Sequence, residues 1–292
     1  RFILMMMLCI VVWAFAFPFI KIALNDLSYI NLTIMRFFVV CIFLLGFLLL
    51  KNKKMISKLK KRDIILIFIL GFFGIMVYHL GLNYGEKYIS AGAASLIIAT
   101  IPVFILILAS IFLNEKITLK EVLGSAIALC GVLVISLWGK QDVIFDVRYI
   151  SGLLAVLIAA LMGAFYTVAG KKLLERYSAV SLTTYAMLLG SIGLLPFIND
   201  SLLEDVSSMS LTTWIAIIFL GLFSTVVGYT IWYEVLKIKT ASKISNYLYA
   251  IPVLSTVISY LFLGEKITIL FVFGGALVII GLFIANSKEK NL

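Results

Sequence analysis

IPVFILILASIFLNEKITLKEVLGSAIALCG, residues 101–131, returns 150 positions later as IPVLSTVISYLFLGEKITILFVFGGALVIIG, residues 251–281, with no gap; 13 of the 31 positions are identical. Pro102 matches Pro252, Glu115 matches Glu265, and Gly124 and Gly131 match Gly274 and Gly281. A self-match of this length marks a duplicated structural unit. Around it the chain is overwhelmingly apolar: 63% of residues are hydrophobic and 13% charged, with a mean hydropathy of +1.18. Such a composition excludes a water-soluble domain and describes a polytopic membrane protein.

The apolar residues fall into ten stretches of about 20 residues, the length that crosses a hydrocarbon core: 3–22, 31–50, 64–83, 92–113, 119–138, 150–170, 180–198, 211–232, 244–263 and 268–286. Five spans belong to each copy. An odd number forces the second copy to enter the bilayer upside down relative to the first. The expected fold is therefore an all-α polytopic membrane protein of ten transmembrane helices in two inverted-topology five-helix repeats, residues 1–140 and 150–286, with a short tail at 287–292. Inverted halves enclosing a midplane site are the architecture of alternating-access carriers. The loops leave no room for a soluble catalytic domain. The first span has no basic n-region and no A-x-A-like cleavage site, and its counterpart is internal, so it reads as a helix and not as a signal peptide.

The net charge of +10 invites a nucleic-acid reading, which its distribution rejects. With the charges assigned to alternating loops, one set carries 18 basic residues: Arg1, seven in the 51–62 run, Lys116, Lys120, Lys171, Lys172, Arg176, Lys237, Lys239, Lys243, Lys288 and Lys290. The opposite set carries four: Lys87, Lys140, Arg148 and Lys266. This asymmetry is the positive-inside signal. It places both termini in the cytoplasm of a cell-membrane protein whose natural partners are the lipid bilayer and a small solute, with the acidic 199–205 loop outside. The oligomeric state stays open, a monomer included.

Cys9, Cys41 and Cys130 lie singly within apolar spans, without pairing or metal-ligand spacing. No metal, cofactor or catalytic residue is expected: one histidine and scattered cysteines supply neither a nucleophile–base pair nor a ligand cluster. The absence of a Walker A sequence disfavours ATP-driven pumping by this chain, and no ring of charges or filter-like motif points to a channel.

Trp13-Ala14-Phe15 followed by Lys21, Arg36-Phe37, Ala91 through Pro102, and the Phe112-Leu113-x-Glu115-Lys116 exit, with Ala241 through Pro252 and Phe262-Leu263-Gly264-Glu265-Lys266 in the second copy, resemble the EamA family of the drug/metabolite transporter superfamily. The resemblance covers essentially the whole chain. It implies a ten-helix carrier moving amino acids, other metabolites or drugs, often outward. It also implies a central cavity lined mainly by helices 1, 3, 4, 6, 8 and 9, with 5 and 10 peripheral. Asn114 stands where the second copy has Gly264, a departure that bears on the helix stop.

Pro102 and Pro252 fall near the middle of spans 4 and 9, where proline bends a helix; their duplication in inverted halves points to paired hinges. His79 lies in span 3, about one turn from its outer end, and reads either as a proton-coupling or substrate-contacting group or as a neutral imidazole bonded to a neighbouring helix. Its counterpart Tyr229 is also polar-tipped, which favours a cavity face. No Asp or Glu lies deep in a span, which argues against a simple proton/cation antiporter. Trp13, Tyr78, His79, Asn83, Tyr166, Tyr229, Asn246 and Tyr249 are the candidate cavity residues, offering neutral donors, acceptors and aromatic walls suited to a zwitterion. Trp232, Tyr233 and Tyr247 read as interfacial anchors. Lys21 and Arg36 read as snorkelling cations, with pairing of Lys21 or Arg36 to Asp26 or Glu86 at an outer gate as the sharper alternative. On that reading no deep Lys or Arg is left to clamp a phosphate. The favoured function is a secondary carrier exporting an amino acid or related metabolite; a drug or nucleotide-sugar-like carrier is second, and an integral membrane enzyme is the rival class.

Overall fold

The computed structural model describes residues 2–50, 56–138, 147–264 and 269–287, and among them the regular structure is helical, with no strand. Lys51, Lys53 and Lys54 of the basic run, Lys140, the Glu265-Lys266-Ile267-Thr268 copy of the exit motif and the tail beyond Ser287 lie outside the described residues.

Eight helical stretches are long and apolar enough to cross a membrane: α1 (Phe2–Ala23), α2 (Tyr29–Leu50), α3 (Lys61–Tyr88), α4 (Ala91–Phe112), α6 (Val147–Leu173), α7 (Ala179–Phe197), α8 (Leu211–Ile238) and α9 (Ala241–Leu263). Two more, α5 (Leu119–Trp138) and α10 (Ile269–Asn286), complete the chain order. A short amphipathic helix, Asp200–Ser208, joins α7 to α8.

Local chemistry sets the boundaries. Ser90, Ser178 and Ser210 accept from the backbone N–H three residues on, at 3.1–3.3 Å, satisfying donors that a helix start leaves open. Thr118 and Glu121 form a reciprocal capping box on α5, with Thr118 N to Glu121 Oε2 at 2.8 Å and Glu121 N to Thr118 Oγ1 at 3.2 Å. At the exits of α4 and α9, Asn114 and Gly264 both adopt left-handed backbone, φ 52° and 67°. Asparagine is among the few side chains that tolerate this region. The departure seen in the sequence is therefore no departure in geometry.

Helix pairing is unchanged when the two halves are exchanged. α3 packs on α6 as α8 packs on α1; α3 on α7 as α8 on α2; α4 on α6 as α9 on α1; and α4–α9 and α5–α10 are pairs that map onto themselves. The α5–α10 contact is extensive. It depends on glycine: a Cβ on Gly124 would meet Gly281 O and Ala285 N at 2.5 Å. Without a hydrophobic force between helices in lipid, close backbone approach is what holds such a pair.

Polar contacts gather at two ends. At one, Asp26 accepts from the Ser210 N–H and from the hydroxyls of Ser210 and Thr213 at 2.6–2.8 Å. Nearby, Asn31 donates to Asp205 at 2.7 Å, and the Lys21 ammonium donates to the Glu86 carbonyl. At the other end, Asp63 receives Arg176 Nη1 at 2.6 Å and the Tyr177 hydroxyl at 2.9 Å, and Ser57 N donates to Ser181 at 2.7 Å. These loops meet within the two sets that the charge distribution separates.

Candidate functional site

The middle of the bundle is built from helices that depart from regular α geometry. α3 is π-helical over Phe72–Val77 and α8 over Phe219–Val227; shifting the first by the repeat offset of 150 gives 222–227, inside the second. A π turn inserts a residue, widens the helix and recurs at functional sites. α4 breaks between Ile98 and Ile101, and α9 passes through a 3₁₀ segment, Asn246–Tyr249, before resuming at Ala250. The irregular turns of α4 and α9 each directly precede a proline, Pro102 and Pro252, whereas no residue pattern marks the π segments.

A cavity of about 60 Å³ lies where these irregular segments meet, lined from α1, α2, α3, α4, α6, α8 and α9. Fourteen of its 17 lining residues form seven pairs 150 positions apart: Trp13 with Gly163, Ala16 with Tyr166, Phe17 with Thr167, His79 with Tyr229, Leu82 with Trp232, Ile98 with Leu248 and Ile101 with Ile251. The cavity therefore sits on the axis relating the two copies. Bulk is exchanged across that axis. Trp13 packs against Gly228, where a Cβ would come within 2.6 Å of its Nε1, and Tyr78 packs against Gly163, where a Cβ would lie 3.2 Å from the ring. Trp13 aligns with Gly163 and Tyr78 with Gly228, so the same contact is made twice with large and small reversed.

The wall is aromatic and pinned. Tyr229 meets Trp13, Tyr166 and His79 with centroids at 5.6, 5.3 and 5.9 Å, and Tyr233 stacks on Tyr166 at 4.8 Å. Trp13 Nε1 donates to Ser224 O at 3.0 Å, and Trp232 Nε1 to Thr167 Oγ1 at 3.1 Å. Such fixed indoles present a shaped apolar surface with few rotatable parts.

Of the eight candidate cavity residues, Trp13, Tyr78, His79, Tyr166 and Tyr229 line this space. Asn83, Asn246 and Tyr249 are fully buried elsewhere. Asn83 donates to Thr33 on α2 at 2.9 Å. Asn246 accepts from Ser125 of α5 at 3.3 Å, and Tyr249 packs among Leu96, Ala99, Ala128 and Val278. Placing Asn246 and Tyr249 on the cavity assumes α-helical periodicity along span 9. The tighter 3₁₀ turn rotates Asn246 and Tyr249 toward α5 and α10 and brings Leu248 and Ile251 to the cavity.

Three further expectations are corrected, and the proline positions hold. Trp232 and Tyr233 are 2% and 0% exposed, core groups and not interfacial anchors. Pro102 stands in the first turn of the second segment of α4, and Pro252 at the third position of Ala250–Leu263. Each stands at the middle of its span, directly after an irregular turn, where the missing N–H and the ring interrupt the regular helix. His79 Nδ1 is 2.6 Å from Ile75 O of its own helix, not a neighbouring one. A carbonyl only accepts, so a neutral ring bonded this way keeps its proton on Nδ1 and leaves Nε2 as an acceptor. Arg36 does not snorkel. It is 2% exposed and edges the cavity, with Nε donating to Thr225 Oγ1 at 2.7 Å and Nη2 to Ser224 Oγ at 3.2 Å. The hydroxyls that hold it inward lie 188 and 189 positions away in sequence. The signal was nonetheless present: an ionisable residue two turns inside a span is a site candidate by default.

Comparison with known proteins agrees with this architecture. An uncharacterized transporter of Archaeoglobus fulgidus is 39% identical over 282 residues, 97% of each chain. A Streptantibioticus cattleyicolor protein described as a probable terminal-alkyne amino-acid exporter is 32% identical over 97% of this chain and 92% of its own. A crystal structure 17% identical in sequence superposes with a TM-score of 0.74 over 97% of this chain and 95% of its own, which speaks to the fold alone. The model of the EamA-like transporter family matches twice, over residues 1–137 and 150–287. This duplicated helical bundle, with its cavity on the repeat axis, belongs to the EamA-like transporter family.

Proposed function

We propose that the protein is a secondary carrier that exports a small metabolite, an amino acid or related compound, across the cytoplasmic membrane by alternating access. In this reading ten helices span the bilayer as two inverted five-helix halves, 1–140 and 150–286, with both termini in the cytoplasm. The observation that carries it is the pairwise lining of the cavity by repeat-related residues. A solute held between two equivalent halves is exposed to either side when one half rocks against the other. The segment breaks ahead of Pro102 and Pro252 border that cavity through Ile98, Ile101, Leu248 and Ile251 and serve as the hinges. Trp13, Tyr78, His79, Tyr166 and Tyr229 contact the solute. The amino-acid exporter among the relatives supports the substrate class, and the basic excess of one loop set supports the orientation.

The test is counterflow in proteoliposomes over an amino-acid panel. Saturable uptake accelerated by solute on the opposite side is the expected result. Flux that never saturates identifies a channel, and chemical turnover without flux identifies an enzyme; either ends the carrier reading.

A further inference from the structure

Arg36 is the one charged side chain on the cavity wall, and its hydrogen bonding is incomplete. Its two partners, Thr225 and Ser224, are neutral hydroxyls, and Thr225 spends its own proton on Leu220 O at 2.7 Å. Nη1 has no hydrogen-bond partner, and the buried Glu86 carboxylate acts on the guanidinium through its charge. Its fork is held by Nε and one edge of Nη2, leaving Nη1 and the second Nη2 hydrogen, the end that matches a carboxylate bidentately.

The repeat sharpens the point. Arg36 aligns with Ala186 and its partner Ser224 with Gly74, so neither has a polar counterpart in the other copy. In a cavity lined mostly by positions related through the repeat, this corner occurs once. It gives the space a polar corner, bordered by the aromatic side chains of Trp13 and Tyr229. A single guanidinium with no lysine beside it matches one negative charge and falls short of a phosphate.

We propose that Arg36 anchors the carboxylate of the transported solute, so that the site accepts carboxylic acids with an apolar body, α-amino acids among them, and rejects their amides. The assignment rests on the carrier reading for its biological sense, but its test does not.

Matched pairs that differ only in the carboxylate (L-phenylalanine and L-phenylalaninamide, L-leucine and L-leucinamide, with phenyl phosphate as a doubly charged control) are titrated against detergent-purified protein by thermal shift and then used in counterflow. The acids are expected to stabilise the wild type at concentrations at least tenfold below those their amides require. Arg36→Lys, which keeps the charge and loses the fork, is expected to weaken the acids about tenfold while eluting as a monodisperse peak, and Arg36→Gln to abolish the acid preference. Amides equal to acids in the wild type, no stabilisation by any acid, phenyl phosphate outranking the acids, or an intact preference in Arg36→Gln overturns the assignment. The wild-type comparison stands even where a variant fails to fold. Stabilisation by acids without counterflow retires the carrier and keeps the anchor; counterflow indifferent to the carboxylate does the reverse.

Discussion

The carboxylate of Glu115, at the exit of α4, holds Ala241 at the first turn of α9: Oε1 accepts the Ala241 N–H at 2.8 Å across 126 positions of sequence. Oε2 takes the Ser242 N–H at 3.0 Å and its hydroxyl at 2.8 Å, and Lys171 Nζ of α6 stands 3.8 Å away. One side chain thus ties α4, α6 and α9 at the end that carries the basic loops. Glu115→Ala is expected to cost about 1.5–3 kcal/mol, the worth of charged hydrogen bonds to donors then left open, read as a lower melting temperature in detergent. Glu115→Gln retains one acceptor and is expected to cost less. Equal melting of Glu115→Ala and wild type would show that the tie contributes nothing.

Asp26 closes the opposite end. Hydrogen bonds from the Ser210 and Thr213 hydroxyls and the Ser210 N–H hold its carboxyl below the ordinary value of 3.8. The folded state therefore binds this proton less readily than the unfolded chain. The resulting stabilisation is fully present above the unfolded value and is lost as the pH falls through the lower folded one. Asp26→Asn is expected to melt below wild type at pH 7, and the difference to shrink on acidification below about pH 4. A difference that persists unchanged at pH 3 would show that ionisation of Asp26 plays no part.

The α5–α10 contact leaves no room for a methyl group. Gly124→Ala and Gly281→Ala each place a Cβ against the other helix's backbone and are each expected to cost about 1–3 kcal/mol by overpacking. The two sites touch, so the double variant is expected to cost less than the sum: once the helices have separated for one methyl, the second meets less resistance. Strict additivity of melting shifts would argue against the contact.

Pro102 and Pro252 prevent their helices from continuing unbroken through the cavity wall. Pro102→Ala and Pro252→Ala restore an N–H that the preceding turn can accept, stiffening the joint. Counterflow is expected to slow several-fold at unchanged half-saturation, the pattern of an altered conformational step. A raised half-saturation at unchanged turnover would make these residues part of the binding surface and not hinges.

The fold was legible in the chain because lipid makes it so. A span needs a continuous apolar run, and a 150-residue duplication with Pro102, Glu115 and their counterparts states the halves directly. A polar tip inside a span pointed to Trp13, Tyr78, His79, Tyr166 and Tyr229, which line the space, and equally to Tyr249, which does not. Arg36 was misread because a lone cation near a span end ordinarily snorkels, and what holds it inward, Ser224 and Thr225, belongs to the other half. Trp232 and Tyr233 were misread for the same reason: depth along a helix is visible in sequence, but the direction a side chain faces is not.

By itself the sequence determined the membrane habitat, the two copies and the loop sets of opposite charge, because these follow from local hydropathy and from counting. Only the tertiary structure decided which residues share the axis. A π segment in α3 and α8 and a 3₁₀ turn in α9 rotate whole helical faces, moving Asn246 and Tyr249 away from the cavity and Leu248 and Ile251 into it. Proline marks where the turn in α9 falls, but nothing local in the chain states which way the faces beyond it then turn.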